Sequence, residues 1–505
     1  MQNSKRKPYL YFIPFIFLTI ILLPTQAAPA QATSNFDRID QFITRKMKAY
    51  HIPGLSLGLV KKDKIYYLKG YGSADPFGTP ITPQTPFILG SVSKSFTGLA
   101  IMQLVEQGKI ALDQPVQTYL PWFTLADPRV AKQITIGHLL SHTSGISTYA
   151  GREVLTGTEN RALKQVIHSL KNLKTTTPVG SGFQYSNLNY LILGEVIETV
   201  SGIPYETYIE QNIFTPLEMK HSYTSRQMAL KNGLATGFQP ILGWMAPTYP
   251  PFHQDAVPAG YLISCAEDLT HYLIAQINGG RYQEIAVLSP QGIRQTHSAV
   301  SETVPYYGMG WFLSNIMTLH PGDIENFHAD IRLIKHDDWG IVLLYNANDN
   351  FAPAVLNKSA YDEIGDGVIN ILTGFKLLPE NDLSGKLRTA YLVMNMLVLL
   401  ISLSIIWGIR RLWGWRRYFK TSFTYLLSRL IWLISFNFLL PYLLYTLIPK
   451  IFSASWSLVL LYTPGLGHVL ITLPMILCGF GLAKIGLMIY WIRKNHNTSK
   501  PTALL

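Results

Sequence analysis

Charge is scarce in this 505-residue chain. Only 14% of its residues are Asp, Glu, Lys or Arg, against 48% hydrophobic, a poor ratio for a soluble protein of this length. Acidic residues are missing from both ends: none precedes Asp37 and none follows Asp382. Cysteine is nearly absent. Cys265 and Cys478 lie in different parts of the chain with no Cys or His neighbour at ligand spacing, which argues against a disulfide framework or a cysteine metal site. No internal repeat and no low-complexity linker occurs. Ser144-Gly145 lacks the Gly-x-Ser-x-Gly surround of a nucleophile elbow. Neither a metal nor a cofactor is expected.

The formal net charge is +12, which alone would suggest nucleic acid. Its distribution argues otherwise. Of 42 Lys and Arg, 13 follow Asp382 and three precede Asp37, so the middle holds 26 basic against 30 acidic residues, a net of −4. The positive charge flanks apolar ends, where it reads as membrane topology rather than a nucleic-acid surface.

Those ends are long hydrophobic runs. Lys5, Arg6 and Lys7 precede "YLYFIPFIFLTIILLP" and then "QAAPAQA", the layout of a secretory signal over residues 1–32, or of an N-terminal anchor. Three further runs, Tyr391–Ile409, Tyr425–Leu447 and Leu466–Ile492, are each long enough, or nearly so, to cross about 30 Å of hydrocarbon. The loop "RRLWGWRRYFK" and the tail from residue 493 to 505 are basic and belong on the cytoplasmic side. The expected location is the cell membrane, multi-pass, with the middle unit extracytoplasmic and the C-terminus cytoplasmic. Asn395 and Asn437 read as polar contacts between spans, Arg429 and Lys484 as snorkelling cations. "SLVLLYTPG" before the last run is expected along the membrane surface, and residues 377–390 are the expected linker.

The middle unit, residues 36–376, alternates structure types. "GLSLGLVKKDKIYYLKGYG" is a hairpin around a charged turn. "FILGSVSKSFTGLAIMQLVEQGKIAL" has apolar residues at helical spacing, and "SNLNYLILGEVIETVSG" is a second helix ending at Gly202. "FHADIRLIKHDDWGIVLLYNAN" reads as two strands. Strands at both ends with helices between them predict an α+β domain whose first and last strands share a sheet.

Three stretches could hold chemistry. Ser91 and Lys94 lie one helical turn apart, but a chain of this length shows about two Ser-x-x-Lys matches by chance, and Ser4–Lys7 is another. A serine hydroxyl needs a base to take its proton, and a lysine serves only if burial or charge holds it neutral. Tyr185-Ser186-Asn187 offers a phenol to relay a proton and an amide to orient substrate. His320-Pro321-Gly322 offers a candidate catalytic imidazole, expected to donate into the serine–tyrosine proton network, and a glycine that allows close approach of substrate backbone. A second register, His328-Ala329-Asp330, lies nearby; His320 is preferred because Gly322 follows it at the right spacing.

Taken in order, with "ITIGHLLSHTSGI" and "PAGYLISCAEDL", these stretches resemble the serine β-lactamase and penicillin-binding protein superfamily, closest to its class C branch with related D-peptidases and esterases. The resemblance covers about Phe36 to Phe375. It implies an antiparallel sheet flanked by helices, plus an all-helical subdomain, here followed by three transmembrane helices. It implies Ser91 as acylated nucleophile, Lys94 as its base, Tyr185 as proton shuttle and Asn187 as substrate ligand. His320 and Gly322 would stand for the third motif, and the backbone N–H groups of Ser91 and Asp323 for the oxyanion hole. His138 and His142 fall in a structural loop of that family. Pro321 departs from the usual hydroxyl or small residue.

The expected function is that of an exported, membrane-tethered serine hydrolase acting through an acyl-enzyme on an amide or ester, such as D-alanyl cell-wall material or a β-lactam. The expected partners are a small-molecule or cell-wall substrate and the lipid bilayer, with no nucleic acid; the oligomeric state is left open. A non-catalytic receptor signalling through the three spans is the alternative. The aromatic loop Gly237–Gly260 lines the cleft or packs the subdomain junction.

Overall fold

The computed structural model describes residues 34–157, 161–374, 383–414, 423–452 and 454–498. The expected signal segment, residues 1–32, lies outside them. A six-stranded antiparallel sheet organises the first 374 residues. Across it the strands run Lys64–Gly72, Gly54–Lys61, Trp339–Tyr345, His328–Ile334, Met317–Asp323 and Phe312–Leu313. The first strand of the chain therefore pairs with the last, Leu55 opposite Tyr345, as the alternation of elements predicts. Two-residue periodicity sends Leu55, Leu57, Ile341 and Leu343 into one core and Ala329, Ile331, Val342 and Leu344 into the other.

The two cores are covered differently. On one face lie the first helix, Asn35–Tyr50, and the helix Ala360–Thr373. On the other face the helix Ala266–Ile277 packs so closely that a Cβ at Gly58 would meet Thr270 and Ala266. Beyond it stands the helical subdomain, which includes Leu163–Ser169 and Asn187–Ser201. Gly202 ends the latter in the left-handed conformation at φ 79°.

The helix Ser93–Glu106 is a finding against simple amphipathic packing. Every residue from Ser93 to Leu104 is buried, so its polar groups call for partners inside the protein. Most have one, Gln103 Oε1 being an exception. Ser93 Oγ donates to Gly90 O at 2.8 Å and accepts from Leu262 N. Thr97 Oγ1 donates to Pro258 O, and Gln103 Nε2 donates to Asn212 O and Val287 O. This helix is the axle between sheet and subdomain, and Ser91 and Lys94 ride at its N-terminal end.

Three C-terminal helices are long and apolar enough to cross a membrane: Leu383–Arg411, Thr424–Phe452 and Leu466–Lys494. Only 6, 22 and 17% of their most apolar windows is buried within the chain, so their hydrocarbon surfaces need another partner. Three expectations change. Within the linker expected at 377–390, residues from Leu383 onward are helix, and the side chains of Leu383 and Leu387 enter the sheet core. Asn437 does bond across to a neighbouring span, donating to Leu477 O and accepting from Lys484 Nζ. Lys484 thus bonds to Asn437 rather than snorkelling. Asn395 instead donates to Leu242 O in the large domain.

Candidate active site

Ser91 sits in the tight turn Gly90–Val92 that leads into the central helix. Gly90 takes φ 54°, and a Cβ there would strike the backbone of Gly322 and Asp323. A Cβ at Gly322 would in turn meet Leu89 O and crowd the backbone N of Ser91. Two glycines therefore let the nucleophile turn and the strand Met317–Asp323 touch backbone to backbone. That approach brings the chain around Ser91 N and Asp323 N together, where two donors for an oxyanion were expected.

Lys94 is fully buried and surrounded by neutral acceptors. Its Nζ lies 3.0 Å from Ser91 Oγ, 2.9 Å from Asn187 Oδ1 and 2.6 Å from Ala259 O. Burial pushes its pKa well below the ordinary lysine range, and no carboxylate opposes that effect. A neutral amine has two N–H donors and one lone pair. Asn187 Oδ1 and Ala259 O take the donors, which leaves the lone pair for the Ser91 hydroxyl. Tyr185 shares a hydrogen bond with Ser91, and burial raises its phenol above the ordinary range. The ring faces Lys94 Nζ at 4.8 Å. Tyr185 is thus a proton-bearing group at neutral pH, suited to give a proton rather than take one.

A nucleophile with a buried amine, an amide and a phenol, on a sheet-edge glycine, decides the comparison with known proteins. The Beta-lactamase family model matches residues 39–365. This chain belongs to the beta-lactamase family. Protein flp of Staphylococcus aureus (strain NCTC 8325 / PS 47) is 31% identical over 334 residues, covering 63% of this chain and 64% of that protein. The chain thus spans less than two thirds of that relative's length. Penicillin-binding protein 4 of Amycolatopsis lactamdurans is 29% identical over 270 residues, covering 52% of this chain and 70% of that one. Among solved structures, the octameric penicillin-binding protein homologue from Pyrococcus abyssi superposes with a TM-score of 0.57 at 28% identity, over 68% of this chain and 78% of that one. FmtA from Staphylococcus aureus superposes at 0.55 and 24% identity, over 69% and 94%, a likeness of fold.

Within this beta-lactamase-family domain the remaining expected residues behave differently from one another. His320 lines the cleft, yet both its nitrogens are engaged. Nδ1 faces Pro321 O at 2.6 Å, so it carries the hydrogen, and Nε2 accepts from Tyr307 OH at 3.2 Å. Burial, helped by Lys94, brings its pKa down to about 3. The expectation that His320 donates into the Ser91–Tyr185 network is therefore corrected: its only hydrogen is spent on its own neighbour's carbonyl. Pro321 is tolerated because this end of its strand is a sheet edge beyond the two-residue partner Phe312–Leu313. Asp323 also lines the cleft, and its carboxylate accepts from His328 Nδ1 at 2.8 Å and Asn348 Nδ2 at 3.1 Å. Burial pushes that carboxyl up, but His328 and Asn348 more than offset it and hold it low. His328, the other register, sits opposite Asp323 on the next strand and stacks on Tyr361.

The sequence analysis placed His142 in a structural loop, and its contacts are structural. It packs 4.4 Å from the Tyr185 ring and 5.0 Å from Tyr307. Its Nδ1 accepts from Ser186 N at 3.1 Å, and burial keeps it neutral. It braces the Tyr185-Ser186-Asn187 turn, a contact no spacing rule predicts, because 43 residues separate it from Tyr185 in the chain. Arg152 and Tyr462 are further cleft residues that were not foreseen. The loop Gly237–Gly260 does not line the cleft. Its hairpin, Phe238–Ile241 with Trp244–Pro247, touches the C-terminal helices instead, and only Ala259 reaches the site. Among the described residues no group of three or more His, Cys, Asp or Glu could hold a metal.

Proposed function

We propose that this protein is an exported, membrane-tethered serine hydrolase that works through an acyl-enzyme at Ser91. One observation carries the reading: a fully buried lysine whose Nζ lies 3.0 Å from Ser91 Oγ, with only an amide oxygen and a backbone carbonyl as its other partners, so that in its neutral form the lone pair can face the serine hydroxyl. In the first step Ser91 Oγ bonds to the carbonyl carbon of an ester or amide, and its proton moves to Lys94 Nζ. Ser91 N–H and Asp323 N–H receive the oxyanion. The bond to the leaving oxygen or nitrogen then breaks, and Tyr185 passes that group a proton, drawn back from Lys94. Water next attacks the carbonyl carbon of the Ser91 ester and gives one proton to Lys94 Nζ. The bond from that carbon to Ser91 Oγ then breaks, Oγ takes the proton back from Lys94, and the acid is released. Asn187 orients both Lys94 and the substrate amide, Gly322 lets the substrate lie along the sheet edge, and His320 sets the wall beside it.

Cell-wall esters or amides and β-lactams are the substrate class that the relatives' names support. Pro321 supplies neither a hydroxyl nor an N–H, so recognition of a substrate carboxylate cannot run through that position. Export is supported by the leader-like segment and by basic loops on one side of the helices. A fluorophosphonate or a fluorescent penicillin tests the reading. The wild type is expected to be labelled and Ser91→Ala not; equal labelling of both would refute it. The receptor alternative draws support from the bonds that join the domain to the C-terminal helices, such as Tyr391 OH to Asp349 Oδ1 at 2.9 Å. A label that binds while no ester, amide or β-lactam is ever released would favour it.

A further inference from the structure

The cleft in front of Ser91 is not closed by the family domain alone. The matched segment ends at residue 365, yet Ile451, Phe452 and residues between 454 and 463 line the cleft. After the second long helix ends at Phe452, the chain makes the short helix Trp456–Tyr462 before the third helix starts at Leu466. Two bonds fix this helix to the domain: Ser455 N donates to Glu153 Oε1 at 3.3 Å, and Gln239 Nε2 donates to Leu461 O at 2.9 Å. Leu458 and Val459 are only 2 and 3% exposed and share a small core with Ala454. Tyr462 lies within electrostatic reach of Asp323 and Arg152.

The cleft so formed is about 720 Å³, the size of a pocket for an extended small molecule. Its lining is of two kinds. Ser91, Tyr185, Asn187 and Arg152 bring polar groups. Ile451, Phe452, Leu458 and Val459 bring hydrocarbon. That hydrocarbon belongs to the segment joining two membrane-length helices, so its distance from a bilayer is set by the chain itself. A soluble cell-wall fragment has no use for such a wall. A molecule drawn from the lipid has.

We propose that Ile451, Phe452 and the segment 454–463 form part of the substrate site, and that the substrate is an amphiphile. It is an ester or amide whose hydrocarbon chain lies against Phe452, Leu458 and Val459 while its carbonyl sits at Ser91. The proposal rests on Ser91 being the nucleophile and adds no chemical step to that cycle. Its consequence is a dependence on chain length, because each CH₂ buried in the pocket should improve kcat/KM by about fourfold until the wall is covered.

The test uses the full-length protein in lipid nanodiscs. Two series are measured: p-nitrophenyl esters from acetate to decanoate, and acetate esters of alcohols over the same lengths. At least one series is expected to climb with length in the wild type. Val459→Trp, which fills the wall, should flatten that climb, lowering the longest ester about tenfold or more and the shortest less than about twofold. Leu458→Ala, which widens it, should move the optimum to longer chains. Two flat series, or an equal loss for short and long esters in Val459→Trp, would overturn the proposal. Fluorophosphonate labelling of each protein separates the two readings. If the wild type is labelled at Ser91 and both series are flat, the amphiphile proposal alone fails; if Ser91 is never labelled, the nucleophile reading fails and takes this one with it.

Discussion

Two cations are buried in this domain, on opposite sides of one sheet, and they are treated in opposite ways. Arg332 is 3% exposed and donates to Asp330 Oδ2 and Asp366 Oδ1, each at 2.6 Å. Burial works against its charge, but the two carboxylates more than offset that, and it stays a cation. Lys94 is fully buried and meets only a hydroxyl, an amide oxygen and a backbone carbonyl. Nothing repays the desolvation of a charge there, so its pKa lies well below the ordinary lysine range. The first cation clamps the helix Ala360–Thr373 to the sheet. The second is the base in the proposed cycle. What distinguishes a structural cation from a reactive one here is the chemistry of its acceptors, since both are equally deep.

The comparison can be broken hardest at the base. Ser91→Ala should abolish acylation, and Lys94→Ala should lower its rate by about 10²–10⁴-fold, read by the rate of fluorophosphonate labelling. Lys94→Arg should not rescue it, because a guanidinium keeps its proton. If arginine restores the rate, the neutral-base assignment is wrong.

Arg332→Met should cost about 3–5 kcal/mol of stability, because two carboxylates are left without their cation. The loss is to be read from denaturant or thermal unfolding, with labelling per folded molecule unchanged. The double variant with Asp330→Asn should recover part of it.

Asn187→Asp tests whether one acceptor converts the second kind of cation into the first. A carboxylate beside Lys94 should hold its proton, so labelling at pH 7 should fall by about tenfold or more. In the wild type labelling should rise with pH, with a midpoint below the ordinary lysine range, and in the variant that limb should move to higher pH. The sign for stability is opposite to that of a salt-bridged lysine. The folded pKa lies below the unfolded one. The burial penalty is therefore full below the folded value and fades as pH rises to the unfolded value. Smallest of all should be Asp366→Asn, about 1–2 kcal/mol, since that carboxylate is partly exposed and Asp330 remains.

Much of this was legible in the residues. β-rich runs and turn chemistry marked the hairpin from Gly54 to Gly72 and the final strand pair, because strands buried on both faces read as nearly continuous apolar runs broken by polar turns. The three long apolar helices stood out by length. The Ser91–Lys94 pair alone was worthless, and gained meaning only from what followed it in order. What could not be read was contact between distant segments. The sealing of His320 by Tyr307 and its own neighbour's carbonyl, the bracing by His142, and the Leu458–Val459 wall all depend on packing across tens to hundreds of residues. No local period records that.

The short helix between the last two spans has a practical side. Cutting the chain at Asp382 to obtain a soluble catalytic domain would remove Leu383 and Leu387 from the sheet core and take away one side of the cleft. An inhibitor screen on such a fragment would rank compounds against half a pocket. The same logic applies over longer times: a domain whose cleft is finished by its own C-terminal helices cannot be moved onto other helices without changing the shape of that cleft. Domain and helices must be inherited together.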